Sequence, residues 1–417
     1  MEKPKNISRP DTDSGAEQIR SGYSAVRSWL PAILLISVFI YSCDEGTLSG
    51  TQQGDREVQI KADTVLIPST EEVSAPGFSG NLNYLSAGSY NDQLFGNQEV
   101  TALLHPSINS ENLESIDSDA SAYLELAVDE IYGDLNSTTA FELHEITRRW
   151  RANSWRPDSS IADATGQLTI GEGDYDPEDE TLIVPVDQSW LQEFREFFNE
   201  GDNDEYREQQ FGFALNASAP SNILSFDMDD SRMVVDNPSV DSLQYTGFRG
   251  WAYSQEREEL NENIPESTSL NFNTFENFMK LEFEVSRDFI QAENISRAEL
   301  VIHKDAMILE DYLPEGHRRN DADILELYFL NESDLELSVT DDPRFQVNLS
   351  DEDSNAPYYS INLTEFVKER LRSDGTENRR FYAIISYNNG KLLQSALFNH
   401  EHDEFAPKLL ITSADPN

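Results

Sequence analysis

Cysteine is nearly absent. Cys43 stands alone in 417 residues, so no disulfide can form within one chain. Basic residues are outnumbered: 30 Lys and Arg face 78 Asp and Glu, a formal net charge of -48, and Lys is the scarcer of the two cations. Such a balance makes nucleic acid a poor partner, because phosphate binding needs clustered Lys and Arg. Anionic membrane surfaces are disfavoured for the same reason. Spanning hydrophobic runs are missing too. The strongest apolar stretch, residues 29–42 (WLPAILLISVFIYS), has 14 residues, short of the about 20 that a membrane helix takes. The usual catalytic signatures are also missing: there is no G-x-S-x-G elbow, P-loop, G-x-G-x-x-G turn or H-E-x-x-H pair.

What is present points to a packed and exported protein. With 22 Phe and 16 Tyr the chain has the aromatic anchors that disordered acidic chains lack. Its length allows two ordinary domains or one large one. An acidic surface of this density stays hydrated and repels its neighbours, which suits high salt or divalent cations. A halophilic or marine adaptation explains it, and so does a specific cation-binding role.

Residues 29–42 have the length of the apolar region of a signal peptide, with Arg20 and Arg27 on the preceding side. Cys43 follows directly, and Ile40 and Ser42 stand at the branched-apolar and small positions of a bacterial lipobox, which this junction resembles. The resemblance implies acylation of the Cys43 sulfur and cleavage before it, and several acyl chains hold a protein to a membrane far better than one. The stretch before the apolar run is long for a signal, and a start at Val26 would give one of ordinary length. Asp44 and Glu45 behind the cysteine are compatible with inner-membrane retention or with surface export. The expectation is the outer membrane, with its face left open.

Beyond Cys43, residues 43–60 read as a flexible tether rich in Gly, Ser, Thr, Gln and Asp. After it, short apolar runs alternate with polar turns at 123–128, 181–186, 211–215, 280–285, 299–302, 324–329 and 381–387, several with period-two alternation. The pattern predicts antiparallel strands. Residues 189–200 carry Trp190, Leu191, Phe194, Phe197 and Phe198 on one helical stripe, and residues 364–372 do the same with Phe366, Val367 and Leu371 behind a Thr364 N-cap. The two helices expose an internal repeat. In each copy two strands lead into a short helix, a polar loop, a strand and a closing strand. The predicted fold is mainly β, with two jelly-roll-like antiparallel sandwiches, each bearing a short amphipathic helix, after a signal peptide (1–42) and tether (43–60). The lobes are expected at 61–240 and 241–417.

Two resemblances follow. Gly88, Ser89, Tyr90, Asn91, Asp92, Phe95 and Gly96 match a G-S-Y-N-D-P-x-F-G stretch of a family of uncharacterised Bacteroidota lipoproteins, with Gln93 where Pro is usual. Ser296 to Ile302 is similar to a later strand of that family. Both halves also resemble the jelly-roll modules called DNRLRE domains. Ala122, Leu124 and Leu126, then Thr147 and Trp150, carry that likeness in the first copy; Ala298, Leu300, Thr364 and the closing Pro407, Lys408, Leu409 and Ile411 carry it in the second. These resemblances imply a cell-envelope location and a sandwich fold, and bring no catalytic motif.

Candidate sites are few. Trp150 and Trp155 flank Arg148, Arg149, Arg151 and Arg156, a basic cluster rare in so acidic a chain. Trp150, Trp155, Arg149 and Arg151 are therefore candidates for ligand binding, against the plainer reading of core tryptophans with arginines paired to nearby acids. Asp174, Asp176, Glu178 and Glu180 are hard oxygen donors at alternate positions and are candidates for a structural calcium, the one cofactor considered. His400 and His402 could grip a metal from a strand, although an exposed turn suits them better. The expected function is non-enzymatic binding or assembly at the envelope, with a glycan or a protein as partner and the membrane reached through Cys43. The rivals are a secreted polysaccharide hydrolase using paired carboxylates and a purely structural envelope component. Palmitate labelling of whole cells is expected to mark the wild-type chain and to vanish in Cys43→Ala; equal labelling of both would remove the anchor.

Overall fold

The structure is a computed structural model. It describes residues 58–416 except 68, 75–76, 109–112, 114, 162–164, 202, 241–242, 259, 273–276, 283–291, 329–344, 351–355, 373–379 and 386–388. Cys43, the apolar run and residues 43–57 of the expected tether lie outside the described residues.

Among the described residues the fold is mainly β, 54% strand against 14% helix. Its strands are β1 (Val58–Leu66), β2 (Ser69–Val73), β3 (Tyr84–Asp92), β4 (Gly96–Pro106), β5 (Ser121–Asp134), β6 (Thr139–Ile146), β7 (Thr165–Tyr175) and β8 (Thr181–Val186). Helices α1 (Gln188–Glu200) and α2 (Asn203–Gln209) come next, then β9 (Phe213–Ala217), β10 (Asn222–Asp236), β11 (Gln244–Thr246), β12 (Phe248–Glu258), β13 (Thr268–Phe272) and β14 (Phe278–Glu282). The remainder is β15 (Ile295–His303), α3 (Ala306–Asp311), β16 (His317–Arg318), β17 (Ile324–Tyr328), β18 (Phe345–Asn348), β19 (Tyr358–Asn362), α4 (Thr364–Arg372), β20 (Arg380–Ile385), β21 (Gln394–Phe398) and β22 (Lys408–Pro416).

The repeat read from the helices is carried through the sheets except at its end: the closing strand expected at 395–398 in the second copy is β21, which pairs with β13, and β22 takes the place that β10 holds in the first. One lobe uses β3 to β10 in chain order, as one continuous sheet folded at the β3–β4 pairing into the halves β8-β5-β10-β3 and β4-β9-β6-β7. The other lobe uses β1, β14, β15, β17, β18, β19, β20 and β22, paired as β19-β15-β22-β1 and β18-β17-β20-β14. Numbered one to eight within each lobe, both give the strand orders 6-3-8-1 and 2-7-4-5, all antiparallel. This is jelly-roll order. A helix joins strands six and seven in both: α1, followed by α2, in one and α4 in the other.

The lobes are not consecutive segments. β1 pairs with β22 along its whole length, from Val58 opposite Pro416 to Leu66 opposite Lys408, and β2 pairs with β14. The first-numbered lobe is thus inserted between the second strand of the chain and the fourteenth. Sequence segments 61–240 and 241–417 do not coincide with the strand sets of the two lobes.

Each lobe has its own core. That of the inserted lobe is built on Leu85, Val100, Leu124, Phe141, Phe213 and Phe226, and α1 lays Trp190, Leu191, Phe194 and Phe198 onto it. This sheet curls until β7 lies along β8: a Cβ on Gly171 or Gly173 would stand 2.1 Å from the Pro185 carbonyl or 2.4 Å from that of Ile183. The other core gathers Leu281, Ile302, Leu325, Tyr359, Leu409 and, from α4, Val367 and Leu371. Asp187 caps α1 by accepting from the Ser189 N–H at 2.7 Å. Thr364 does not cap α4. Its Oγ1 accepts from the Ala298 N–H at 2.9 Å, and Asn362 Oδ1 accepts from the Thr364 N–H instead.

A third cluster, Leu94, Phe95, Leu270, Phe272, Ile308 and Leu309, joins the lobes. At its edge Arg319 pairs with Asp92 through two parallel bonds, Nε to Oδ2 at 3.0 Å and Nη2 to Oδ1 at 2.9 Å; the two side chains are 3% and 0% exposed. The same carboxylate accepts from the Leu94 and Phe95 N–H groups, which closes the β3–β4 turn. Removing one partner of such a buried pair typically destabilises by about 3–5 kcal/mol. Arg319→Met is expected to lower the denaturant midpoint by that order, and the double variant Asp92→Asn/Arg319→Met is expected to regain part of it. A single variant within about 0.5 kcal/mol of wild type would show the pair to be incidental.

Candidate functional site

The inner face of the sheet β4-β9-β6-β7 belongs to the core, so its outer face must be covered by something else. Leu103 of β4, Ala214 of β9 and Ala252 of β12 point outward by strand alternation, and Ile146, Ile161, Trp150 and Trp155 cover them. The covering segment is the β6–β7 connection, which makes a short 3-10 turn at Ala152–Ser154. Residues 79–81 clamp it down. The Ser79 N–H donates to the Trp155 carbonyl at 3.0 Å, and the Asn81 N–H to that of Trp251 at 2.8 Å. Gly80 lies so close that a Cβ there would stand 1.9 Å from the Ala152 carbonyl. Asn81 itself holds a left-handed φ of 55°, a strained conformation for a residue with a side chain.

Beside this clamp opens a cavity of about 490 Å³, within the usual range of ligand sites. Arg149, Trp150 and Arg151 come to it from the loop, Arg207 from α2, Arg249 from β12, and His105 from the end of β4. No carboxylate lines it. None of the four arginines has an ion pair among the described residues, although acidic residues abound on the surface.

Local structure explains how these groups converge. Arg249 is the extra residue of a β-bulge: Phe248 pairs with Pro106 and Gly250 with His105, so Arg249 has no partner across the ladder. Bulges re-aim a side chain in this way and are common beside functional sites. α2 is fixed by Tyr206, fully buried, whose hydroxyl donates to the Pro106 carbonyl at 2.8 Å. Its ring lies 5.0 Å from the His105 ring and carries the Arg249 guanidinium at 5.9 Å from its centroid. Burial, then the neighbouring Arg207 and Arg149, push the Arg249 pKa down, with Tyr206 acting the other way.

His105 is 8% exposed and its Nε2 has no hydrogen-bond partner among the described residues. Burial, then Arg249 and Arg207, lower its pKa from 6.5 to about 3. The imidazole is therefore neutral at physiological pH, and all the positive charge of the cavity is guanidinium, which does not titrate.

Of the residues the sequence singled out, Trp150, Arg149 and Arg151 line the cavity. Trp155 does not. It packs edge-on against Trp150 at 6.0 Å and donates its Nε1–H to Ser254 Oγ. Trp150 is itself fixed by a bond from Nε1 to the Phe211 carbonyl at 2.7 Å. Arg148 donates to the Ser160 carbonyl and Arg156 lies over the Phe78 ring, so those two have other work. His105, Arg207, Arg249 and Asn81 were invisible to sequence reasoning. They come from separate elements, and Arg207 sits in an acidic stretch read as a loop.

The other candidates do not assemble. Asp174, Asp176, Glu178 and Glu180 are exposed, and Asp176 Oδ1 accepts from the Glu178 N–H at 3.1 Å in a tight turn. Among the described residues no group of three or more His, Cys, Asp or Glu is placed to hold a metal ion. His400 and His402 lie in a turn, with their Nδ1 atoms engaged by Thr70 and by the Phe405 N–H. One carboxyl pair stands out: Glu145 has its pKa raised by burial and by Glu193. Neither lines the cavity. No family model matches the chain, and comparison with curated proteins finds none similar to it.

Acid should weaken the fold through His105. The unfolded chain takes up this proton near 6.5 and the folded chain near 3, so the unfolded state binds more protons between those values. Stability present above 6.5 is lost as pH falls, at up to about 1.4 kcal/mol per pH unit. Denaturant midpoints measured from pH 7.5 to 4 are expected to fall less steeply in His105→Gln than in wild type. Parallel curves would remove His105 from the account.

Proposed function

We propose that this chain is an exported lipoprotein, held to the outer membrane by acyl chains on Cys43, whose folded part is a non-enzymatic binding module that captures a glycan at the cavity beside Trp150. The observation that carries the reading is the cavity wall: four arginines without carboxylate partners in a chain of net charge -48. Cations with a structural role here meet acids, as Lys391 does with Asp129 and Glu130, or a carbonyl or ring, as Arg148 and Arg156 do. Guanidinium groups left open toward a cavity serve a ligand. Trp150 offers a partly exposed indole beside them, the kind of surface on which sugar rings stack. Among the described residues no helix is long and apolar enough to cross a membrane, and an acyl anchor asks for none.

A hydrolase would need paired carboxylates flanking the scissile bond, and the cavity wall has none. A protein partner and a purely structural role are the other outcomes of the same test. Chain beginning at Asp44 is applied to a glycan array and to the same glycans in solution. Capture without release of new reducing ends, reduced at least about tenfold by Arg151→Gln, is the expected result. Release of reducing ends that stops in Glu145→Gln would make the protein a hydrolase, and no capture of any glycan would leave the envelope partner or the scaffold.

A further inference from the structure

We infer that the cavity selects ligands bearing a tetrahedral oxyanion, a sulfate or phosphate ester, and seats that group over the His105 imidazole among Arg149, Arg207 and Arg249. The inference rests on the binding role proposed above and names the chemistry that the site recognises.

Geometry favours this class over a carboxylate. A carboxylate is planar, and one or two in-plane guanidinium forks satisfy it. Here the forks arrive from three directions: the β6–β7 loop, the helix α2 and the bulge of β12. An ester of sulfate or phosphate has three terminal oxygens spread out of any one plane, so guanidinium groups approaching from several sides can each find an acceptor. The charge agrees. Four fixed cations with no internal anion call for more than one negative charge on the ligand, which a dianionic phosphate or a multiply sulfated sugar supplies.

A buried residue of the cavity lining supplies the second observation. His105 is nine-tenths buried, lines the cavity and leaves Nε2 unpartnered. A buried polar atom without a partner is destabilising by about 1–3 kcal/mol, and an oxyanion against an Nε2–H removes that cost. Around the imidazole stand Arg149 and Arg151 of the loop, Arg207 of α2, Arg249 of β12 and the neutral Tyr206 phenol. Burial first, and then the uncompensated Arg249 and Arg207, make the ring resist protonation; an oxyanion beside the two guanidinium groups reverses their share of that effect, so ligand binding raises the pKa of His105.

The test uses the full acylated chain in detergent micelles. Calorimetry compares one monosaccharide in four forms, sulfated, phosphorylated, oxidised to the uronate and unsubstituted, at fixed ionic strength in chloride. NMR follows His105 with and without inorganic sulfate and inorganic phosphate. The sulfated or the phosphorylated sugar is expected to bind at least about tenfold more tightly than the uronate. Arg249→Gln and, as a variant on an exposed helix face, Arg207→Gln are expected to lose that preference while keeping their melting temperature. The His105 pKa is expected to rise with either inorganic ion. Affinity that climbs as pH passes through 6 identifies the phosphate ester, whose second ionisation lies there, and pH-independent affinity identifies the sulfate. Equal binding of uronate and esters, or of wild type and both variants, overturns the inference and leaves a glycan-binding role intact. Inorganic sulfate or phosphate raising the His105 pKa while no sugar binds overturns the glycan reading and leaves the oxyanion seat. No ligand moving either readout overturns both.

Discussion

The pairing of Asp92 with Arg319 is the constraint on which the rest of the structure turns. A carboxylate with no exposed surface is costly to bury without a cation and donors at hand. Arg319 gives it two parallel bonds, and the Leu94 and Phe95 N–H groups give two more. Arg319 in turn donates to the Leu309 and Tyr312 carbonyls at the end of α3 and lies over the Phe95 ring. One buried charge pair therefore fixes the β3–β4 turn of the inserted lobe, a helix of the host lobe and the apolar cluster between them. The β3–β4 hairpin also leads into β4, which carries His105 next to its last residue, so the cavity that His105 lines is tied to the same bond.

Much of this was legible in the residues. The strands announced themselves by alternation, as in β5 and β14, and α1 by its aromatic stripe. The repeat showed in the recurrence of a helix after a paired strand, because strand β8 lies against β5 as β19 lies against β15. The dense Gly88–Gly96 stretch turns out to be a set of separate physical demands. Gly88 holds a φ of 135° with the Asn222 carbonyl where a Cβ would be, the Tyr90 hydroxyl meets His317 Nδ1 at 3.0 Å, Asp92 meets Arg319, and Gly96 turns the chain at a φ of 77°.

What stayed hidden was whatever depends on partners distant in the chain. Nothing in the sequence marks β1 as the neighbour of β22, since edge position and register are set by tertiary packing. Helix α2 has a single apolar anchor, Tyr206, and so lacks the stripe by which helices are read. The cavity was found by half. Arg149, Trp150 and Arg151 drew notice as a basic spot in an acidic chain, while Arg249 owes its place to a bulge and His105 to burial, neither of which has a signature in a single sequence.

The insertion carries a consequence for the order in which the chain can assemble. Strand β22 lies between β1 and β15, so the host lobe stays unfinished until that strand arrives. The inserted lobe suffers no such delay, its strands being contiguous from Tyr84 to Asp236. Once it has formed, the segment leading into it and the strand leading out lie side by side, joined at Asn81 and Trp251. A long intervening loop is then replaced by a compact bridge. The entropy of closing β1 onto β22, which grows with the logarithm of the free chain between them, falls accordingly. The early lobe acts as the clasp that lets the late one close.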